Sequence, residues 1–396
     1  MIRIEQIVLR ELRLPLKEPF RISSGLCTDR RILLLELADA DGTVVWSECV
    51  AGEGPHYSAE TIDTAWLAII EWISPRVLGV RFATPDELNP ALDRDFRGHN
   101  MAKAAVEMGA WALAAVRDGL PLAERVARAG GQRREVRRSI ETGISLGIQD
   151  SPAALVERAS AARAAGYRKI KIKIAPGSDV EFVAAVRSAL GPDAALMADA
   201  NSAYTLEQAD QLARLDDLRL IMIEQPLAHD DLVRHAELQR RLKTPLCLDE
   251  SITSVARAED MVALGSGRVI NIKPGRVGGF TQAVAIHDFC LARGVPVWCG
   301  GMLESGVGRS YNVALASLPG FTIPGDLSPS ARYWARDVVT PQWEMDERGQ
   351  VRVPLDRPGL GVDLDVDRIE DLTVRRQVLM LPAARVTRPR ALQPDR

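Results

Sequence analysis

The sequence is poor in the residues that build disulfide frameworks and zinc sites. Its 396 residues include only five cysteines and five histidines, and no two cysteines form a Cys-x-x-Cys pair. An odd number of scattered cysteines argues against a disulfide framework or a zinc ribbon and is typical of reduced thiols. We therefore expect a cytoplasmic location.

Long apolar runs and a strong net charge are also missing. No uninterrupted apolar stretch reaches the length needed to cross a bilayer. The N-terminus carries charges every few residues, so it lacks the apolar core of a signal peptide. The formal net charge of −3 provides no global field that would attract nucleic acid or anionic lipid. We expect neither a membrane nor a nucleic acid as partner.

The chain has no GxGxxG turn after a predicted strand, and this absence helps to choose between two α/β architectures. Short apolar runs that end in a polar or aromatic residue recur every 24 to 26 residues, with helix-like stretches between them. These runs end near Lys173, Asp199, Glu224, Asp249, Lys273 and Trp298. The repeat predicts parallel βα units. An open doubly wound sheet normally shows the glycine-rich turn, whereas a barrel draws polar residues from several strand ends. We therefore favour a (β/α)7-8 barrel of the TIM type.

The regions on either side of this repeat have different patterns. Residues 1–130 contain alternating strand-like runs, a DADGT turn and helix-like stretches, which predict a separate α+β domain. The barrel is predicted over 131–340, with 136–147 as its first strand. The turn-rich segment 341–375 is expected to return to this first domain. Residues 376–396 are polar and proline-bearing, and we expect a mobile tail there.

One short strand alternates lysine with isoleucine. In KIKIK, the side chains of Lys169, Lys171 and Lys173 share one face of the strand. A solvated edge strand is one explanation of such a face. In a barrel, the isoleucines would instead face the helices and the lysines the interior. We then expect Lys173 nearest the chemistry, Lys171 in support, and Lys169 solvated at the bottom rim.

Three carboxylates, those of Asp199, Glu224 and Asp249, occupy equivalent positions at the ends of three successive strands. Neighbouring strands lie about 4.8 Å apart, so the carboxylates are expected to converge. Their mutual repulsion would be relieved by a hard divalent cation, Mg²⁺ or else Mn²⁺ or a similar ion. Unrelated helix caps or salt bridges are the alternative, which the common register disfavours.

Lys173 and Lys273 belong to the strands that flank these three. A divalent cation can bind a substrate carboxylate as a Lewis acid and stabilise the enolate formed when the adjacent carbon loses its proton. A lysine must be neutral to take that proton, and burial or nearby cations such as Arg276 lower its pKa. Two opposed lysines support racemisation, and one lysine that also assists loss of a β-hydroxyl supports dehydration. The residues leave both reactions open.

The motifs together resemble those of the enolase superfamily. KIKIK, DAN, EQP, DES, NIKPGRVGG and CGGMLESG are similar to its muconate-lactonizing branch, and in particular to the o-succinylbenzoate synthase / N-succinylamino acid racemase (N-acylamino acid racemase) family. EPFRISSG and GLGVDLD extend the resemblance over nearly the whole chain. The resemblance implies a magnesium-dependent enzyme that acts on a small-molecule carboxylate and forms a homo-oligomer. It also implies that the N-terminal α+β domain, completed by the C-terminal segment, is a capping domain over the barrel.

The resemblance also assigns roles by position. It implies Asp199, Glu224 and Asp249 as metal ligands and Lys173 and Lys273 as the acid/base pair. The supporting residues that it implies are Lys171, Asn201, Glu250 and Arg276. The substrate contacts that it implies are Phe20, Ser23, Tyr57, Ser145, Gly300, Met302 and Leu303. Arginine occupies the position of Arg276 in family members with racemase activity.

Several functions remain open within this resemblance. One is o-succinylbenzoate synthase, which dehydrates 2-succinyl-6-hydroxy-2,4-cyclohexadiene-1-carboxylate in menaquinone biosynthesis; another is N-succinylamino acid racemase. A dipeptide epimerase usually has Asp-x-Asp at the eighth strand, where this chain has Asp326-Leu327-Ser328. A sugar-acid dehydratase would need a histidine base where this chain has Cys299 or Gly300. A non-catalytic barrel would need none of the lysines and carboxylates.

Overall fold

The N-terminal part of the chain folds as an antiparallel sheet covered by helices. The computed structural model describes residues 1–22 and 25–381. The strands of this part are β1 (Ile4–Ile22), β2 (Gly25–Asp39) and β3 (Val44–Cys49). Its helices are α1 (Ile62–Ala68), α2 (Ser74–Val77), α3 (Leu88–Asp93), α4 (Asn100–Arg117) and α5 (Leu122–Val126). A π-helical turn, Ile69–Ile73, joins α1 to α2. Helix α4 lies against β3, where the Ser47 hydroxyl donates to the Ala105 carbonyl at 2.7 Å.

A parallel sheet follows, in which the strands keep their order along the chain. After the short strand β4 (Ser139–Glu141), which lies outside this sheet, its strands are β5 (Gly143–Leu146), β6 (Lys169–Lys173), β7 (Leu196–Asp199), β8 (Ile223–Glu224), β9 (Leu246–Leu248), β10 (Val269–Ile272) and β11 (Val297–Cys299). The helices are α6 (Pro152–Ala164), α7 (Val180–Leu190), α8 (Ala209–Ala213), α9 (Leu232–Arg241), α10 (Val255–Leu264), α11 (Phe280–Leu291) and α12 (Gly306–Ala316). Strands β5 to β11 form one seven-stranded sheet.

Segment 321–326 takes the place of an eighth strand. Phe321 forms a parallel bridge to β11, and Gly325 forms one to the residue before β5. The Asp326 N–H also donates to the Cys299 carbonyl at 3.0 Å. These contacts join the two edges of the seven-stranded sheet. The predicted TIM-type barrel with a separate N-terminal α+β part is thus confirmed.

The alternation in KIKIK sets the two faces of β6. Ile170 and Ile172 are buried in one apolar cluster with Leu155 of α6 and Val183 of α7. Burying each such side chain stabilises the fold by about 1.5–3 kcal/mol. The lysines between them therefore point into the barrel, because successive side chains of a strand lie on opposite faces.

The predicted first barrel strand, 136–147, is divided in two by the structure. Only β5 joins the barrel, whereas β4 pairs antiparallel with β13 (Gln350–Arg352). The remaining strands of this last part are β12 (Val339–Thr340), β14 (Asp363–Leu364) and β15 (Thr373–Met380), and its helix is α13 (Val366–Leu372). The prediction of one continuous strand was wrong because the partner of β4 lies far along the chain.

The C-terminal strand returns to the N-terminal sheet. β15 pairs antiparallel with β1 and forms one edge of the four-stranded sheet β15-β1-β2-β3. The prediction of a mobile tail from residue 376 is therefore wrong for residues 376–380. An edge strand that is exposed on both faces tolerates mixed charged and apolar residues, so it lacks the pattern of a buried strand. Residues 382–396 lie outside the described part of the chain.

The two parts are also joined by a buried carboxylate. Glu48, in β3, accepts hydrogen bonds from the Ser305 hydroxyl at 2.6 Å and from the Gly308 N–H at 3.0 Å. These donors lie at the start of α12, where backbone N–H groups have no partner within the helix.

Among the helices that the structure describes, none combines the length and apolar character needed to cross a bilayer.

Candidate active site

Three buried carboxylates lie side by side at one end of the barrel. Asp199 ends β7 and is paired in register with Glu224, which ends β8. Asp249 directly follows β9, the next strand. All three side chains are buried. The register predicted from the sequence thus brings these three residues to adjacent strand ends.

A lysine lies at each end of this carboxylate row. The Lys173 ammonium, on β6, is 2.6 Å from Asp199 Oδ2. The Lys273 ammonium, just after β10, is 2.7 Å from Asp249 Oδ2. Because β6 and β10 flank the three carboxylate-bearing strands, the two amines approach the row from opposite sides. This is the arrangement that the sequence predicted for the pair.

Lys171 lies deeper in the barrel and contacts the middle of the row. Its ammonium is 3.1 Å from Glu224 Oε2 and 3.2 Å from Asp199 Oδ2. Lys169, one step further down the strand, is fully buried, so the prediction that it is solvated at the bottom rim is wrong. Its burial depends on Asp326 and Trp298, which come from much later in the chain.

Asn201 and Glu250 form a second layer beside Lys173. Lys173 donates to Asn201 Oδ1 at 2.6 Å, and Asn201 Nδ2 donates to Glu250 Oε1 at 3.1 Å. Burial, reinforced by the nearby Asp249 and Asp199 carboxylates, raises the pKa of Glu250 to about 7. These contacts bring the two predicted supporting residues to the site.

Arg276 and Tyr57 enclose the other end of the row. The buried Arg276 guanidinium forms an ion pair with Asp249, and its Nε donates to the Ile252 carbonyl at 2.7 Å. Tyr57, from the N-terminal part, donates its hydroxyl proton to Asp249 Oδ1 at 2.8 Å. The Lys273 ammonium lies 3.2 Å from the same hydroxyl oxygen. A residue of the N-terminal part thus completes a site built mainly by the barrel.

Burial and neighbouring charges shift the pKa values of the groups in the row. Burial, followed by repulsion from the Asp199 carboxylate, raises the pKa of Glu224 well above its ordinary value. Burial alone would also raise the pKa of Asp199, but the Lys173 and Lys171 ammonium groups outweigh it and lower that pKa. Burial would lower the pKa of Lys273, yet the Asp249 carboxylate, together with Tyr57 and Glu224, outweighs burial and raises that pKa.

The carboxylates do not converge on one point in the way predicted. Within residues 1–22 and 25–381, no three His, Cys, Asp or Glu side chains are grouped so that they could enclose a metal ion. Buried carboxylates need a positive partner, and lysine and arginine side chains supply it here. The donor set still fits a hard divalent cation, because it consists of three carboxylates on neighbouring strand ends.

The loop after β11 supplies predicted substrate contacts. A Cβ on Gly300 would lie 2.6 Å from Lys273 Cε, so only glycine leaves room for that lysine. Met302 and Leu303 follow, and both are half-buried. Leu303 has a φ of 57°, a left-handed conformation that is strained for a bulky side chain and is typical of functional sites.

Two of the remaining predicted contacts, Ser145 and Phe20, lie on β5 and on β1. Ser145 of β5 is in register with Lys171, so it faces the barrel interior. Its buried hydroxyl oxygen has no hydrogen-bond partner within the described residues. Phe20 lies near the end of β1 and is half-buried. Ser23 lies outside the described residues.

Two buried amides hold the carboxylates in place, although the sequence reasoning gave them no role. Gln225 Oε1 accepts from the Asp249 N–H at 3.0 Å, and Gln225 itself has a left-handed φ of 38°. Asn271 Nδ2 donates to Glu224 Oε1 at 2.7 Å. Both residues lie within motifs quoted above, EQP and NIKPGRVGG, which was the available signal.

A cavity of about 360 Å³ opens beside the row, between the N-terminal part and the barrel. Tyr57, Glu250 and Arg276 line it next to the carboxylates, and His99 and Met101 line it from the start of α4. Its volume falls within the range of about 300–1,000 Å³ that is usual for small-molecule sites. The site therefore has room for a small substrate.

Two family descriptions match the chain. Residues 3–126 match the N-terminal domain of mandelate racemase / muconate lactonizing enzyme. Residues 154–368 match the enolase C-terminal domain-like family. Together they account for the N-terminal part and for most of the barrel.

Individual relatives agree with these matches. An o-succinylbenzoate synthase from Geobacillus stearothermophilus is 48% identical over 94% of this chain and 96% of its own length. An N-succinylamino acid racemase from an Amycolatopsis species is 44% identical over 94% of this chain and 98% of its own. A crystal structure of an enolase-superfamily member from Listeria innocua superposes with a TM-score of 0.91, at 38% identity, over 96% of this chain and 100% of that one. The chain therefore belongs to the o-succinylbenzoate synthase / N-succinylamino acid racemase family of the enolase superfamily.

Proposed function

We propose that the protein removes the proton next to a substrate carboxylate with the help of a divalent cation, and that its main reaction is that of an o-succinylbenzoate synthase. The observation that carries the proposal is the placement of Lys173 and Lys273 at opposite ends of the row Asp199, Glu224 and Asp249. Relatives named for this reaction match nearly the whole chain. The substrate would be 2-succinyl-6-hydroxy-2,4-cyclohexadiene-1-carboxylate.

Lys173 is the base in this proposal. It takes the proton from the carbon that bears the carboxylate, and the electrons of that C–H bond form a new C=C bond. The C–O bond of the β-hydroxyl breaks, and the same ammonium returns the proton to the leaving oxygen, so that water is released. Lys273, held by Asp249, stays protonated as a cation on the opposite side.

We propose Asp199, Glu224 and Asp249 as the ligands of a resident Mg²⁺ or a similar divalent cation. Their all-oxygen chemistry and adjacent strand ends fit such an ion. When bound, the cation would act as a Lewis acid on the substrate carboxylate. Lys171 would support the site as a cation below the row, and Asn201 and Glu250 would orient Lys173 through the hydrogen bonds described above.

We propose the residues predicted from the sequence as the substrate contacts. Ser145 offers an unpartnered buried hydroxyl, and Gly300, Met302 and Leu303 form the loop beside Lys273. Tyr57 lies between this site and the cavity described above. We also propose Phe20, near the end of β1, and Ser23 as substrate contacts. A cytoplasmic location, a role in menaquinone biosynthesis and a homo-oligomeric assembly are further expectations.

A second activity, N-succinylamino acid racemase, is favoured by the same pair of lysines. One amine would remove the α-proton from one face and the other would return a proton to the opposite face. Relatives with that name match this chain at 44% and 46% identity. Arg276 lies on the Lys273 side of the site, where it neutralises Asp249. We therefore expect both reactions, with the dehydration as the biological one.

The structure disfavours a dipeptide epimerase. The carboxylate of Asp326 is buried and lies 2.6 Å from the Lys171 ammonium and 3.3 Å from that of Lys169. A carboxylate that is already paired with two cations is a poor partner for the ammonium group of a dipeptide. The intact lysines and carboxylates likewise disfavour a non-catalytic barrel.

The deciding experiment compares two lysine variants in both reactions. Lys173→Ala should abolish dehydration and racemisation. Lys273→Arg should abolish racemisation but retain measurable dehydration, because it keeps the charge without a usable base. Lys243→Arg, the same substitution at an exposed lysine, serves as the control and should leave both rates unchanged.

Deuterium exchange separates the roles of the two lysines, which would act on opposite faces of the substrate α-carbon. In heavy water, Lys273→Ala should still exchange the α-proton of one N-succinylamino acid enantiomer and not of the other. Exchange of both enantiomers at the wild-type rate in either lysine variant would refute the two-base assignment. A wild-type protein that is fully active after complete chelation of divalent cations would refute the metal-assisted reaction itself.

A further inference from the structure

The floor of the barrel holds a buried lysine that the proposed reaction does not use. The Lys169 ammonium lies 3.5 Å from the centroid of the Trp298 ring and 3.3 Å from Asp326 Oδ1. Gly143, opposite Lys169 in the register of β5 and β6, makes room for it, because a Cβ there would lie 2.7 Å from Lys169 Cε. A buried charge is costly unless it is paired, so Asp326 is the partner that this lysine requires.

Asp326 also connects this floor to the carboxylate row. Its Oδ2 lies 2.6 Å from the Lys171 ammonium, which is a shorter distance than those from Lys171 to Glu224, 3.1 Å, and to Asp199, 3.2 Å. One ammonium is therefore shared among three carboxylates. Two of these belong to the proposed metal ligands, and the third lies below them.

The sharing matters because an ammonium and a divalent cation compete for the same carboxylate oxygens. The Asp326 carboxylate attracts the Lys171 ammonium from below. It therefore weakens the attraction of this ammonium to Asp199 and Glu224. Burial alone would raise the pKa of Asp326, but Lys169 and Lys171 outweigh it and hold that pKa below its ordinary value. Asp326 is thus a fixed negative charge between two cations.

We propose that Asp326 is a positioning residue: paired with Lys169 for charge balance, it holds the Lys171 ammonium on the barrel floor and so leaves oxygens of Asp199 and Glu224 open to a divalent cation. The inference rests on the proposed function, since it takes Asp199 and Glu224 as metal ligands. It explains why a third lysine, Lys169, stands on the inward face of β6. It also explains why segment 321–326, which closes the barrel, ends in an aspartate.

The test measures Mg²⁺ binding to the purified full-length protein by isothermal titration calorimetry, with no turnover involved. Asp326→Asn keeps the shape of the side chain and removes its charge, so Lys171 moves onto Asp199 and Glu224. We expect Mg²⁺ to bind about 10–100-fold more weakly, which is the usual effect of losing a partner of the ligands.

Two further variants separate positioning from a merely structural role. Lys169→Met removes a cation at similar volume but keeps the pair of Asp326 with Lys171. It should lower the Tm and leave Mg²⁺ affinity within about threefold of wild type. The double variant Asp326→Asn/Lys171→Met removes the competing ammonium, so its Mg²⁺ affinity should return to within about threefold of wild type.

The possible results distinguish failure of this inference from failure of the proposed function. Wild-type Mg²⁺ affinity in Asp326→Asn, or a double variant that binds as weakly as the single one, would overturn the inference and leave the proposed function standing. A wild-type protein that binds no Mg²⁺ would overturn the proposed function itself. If Asp326→Asn does not fold, as judged by circular dichroism, Lys171→Met alone decides. It should bind Mg²⁺ at least as tightly as wild type, and tenfold weaker binding would contradict the competition.

Discussion

The buried carboxylate of Glu107, in the middle of α4, accepts a hydrogen bond from the Phe280 N–H at 2.8 Å. It also accepts from the Thr281 N–H at 2.9 Å and from the Trp111 indole N–H at 2.7 Å. Phe280 and Thr281 begin α11 of the barrel, so one acidic side chain of the N-terminal part caps a barrel helix. Together with Glu48 at α12, this contact fixes the two parts of the molecule against each other and places Tyr57 over the site.

Glu107 predicts a dependence of stability on pH. Burial raises its pKa to about 7 in the folded protein, from an ordinary value of 4.5. The folded state therefore binds this proton more tightly than the unfolded chain. Protonation of Glu107 therefore contributes on the order of 3 kcal/mol to the free energy of unfolding below pH 4.5. This contribution is lost as the pH rises to about 7.

The variant Glu107→Gln, which cannot titrate, isolates this contribution. The Tm of wild type minus that of the variant should fall as the pH rises from 4.5 to 7, measured by thermal unfolding at several pH values. Glu157→Gln, at an exposed position of α6, is the control and should show a constant difference. A constant difference for Glu107→Gln as well would show that its carboxylate does not titrate in this window.

Asp249→Asn should lower kcat by more than about 100-fold and weaken Mg²⁺ binding, because it removes a proposed ligand and the partner of Lys273 and Arg276. Calorimetric titration with Mg²⁺ and circular dichroism would separate loss of binding from loss of fold. Asp193→Asn makes the same change on the surface and should have no effect. Undiminished Mg²⁺ affinity in Asp249→Asn would remove this residue from the ligand set.

Gly300→Ala should impair catalysis through Lys273. The added Cβ would approach Lys273 Cε to 2.6 Å and the Asn271 side chain to 2.5 Å, so one of them must move. A displacement of the reacting group by about 1 Å can cost 100-fold in rate. We expect kcat for racemisation, in which Lys273 is one of the two proposed bases, to fall at least tenfold in steady-state assays. Wild-type kcat in this variant would show that Lys273 has more freedom than its surroundings indicate.

Two truncations test the role of β15. Removing residues 382–396 should leave both Tm and kcat unchanged, as the composition of that segment predicts. Removing 373–396 also deletes β15, leaves β1 unpaired along its outer edge and exposes part of the sheet. Because each lost backbone hydrogen bond costs about 0.5–1.5 kcal/mol, the Tm should fall measurably. Equal Tm values for the two truncated proteins would mean that β15 adds no stability.

The repeat and the carboxylate register could be read from the sequence because both follow local periodicity. Side chains alternate along each strand, and a helix returns the chain after a nearly constant number of residues, so the position of Asp199 implies those of Glu224 and Asp249. The register of β7 and β8 confirms the first of these steps. The same spacing predicts the positions of Lys173, one repeat before this row, and of Lys273, one repeat after it.

Features that depend on contacts between distant segments could not be read in this way. The burial of Lys169 depends on Trp298 and Asp326, and nothing in KIKIK indicates either partner. The pairing of β15 with β1 likewise joins the two ends of the chain. The individual contacts of each carboxylate depend on which cations reach it, and this is decided by packing rather than by spacing.

The pairing of β1 with β15 has a consequence for how the protein is made. β1 ends at residue 22 and β15 starts at residue 373, so roughly 350 residues separate the two strands of one sheet. At about 5–20 residues per second, a ribosome needs roughly 20–70 s to supply the second strand after the first. Throughout that interval the outer edge of the first strand lacks its partner, while all the βα units emerge. Domains commonly complete themselves in the order of synthesis, but this N-terminal sheet is completed only after the βα units have been made, when β15 pairs with β1.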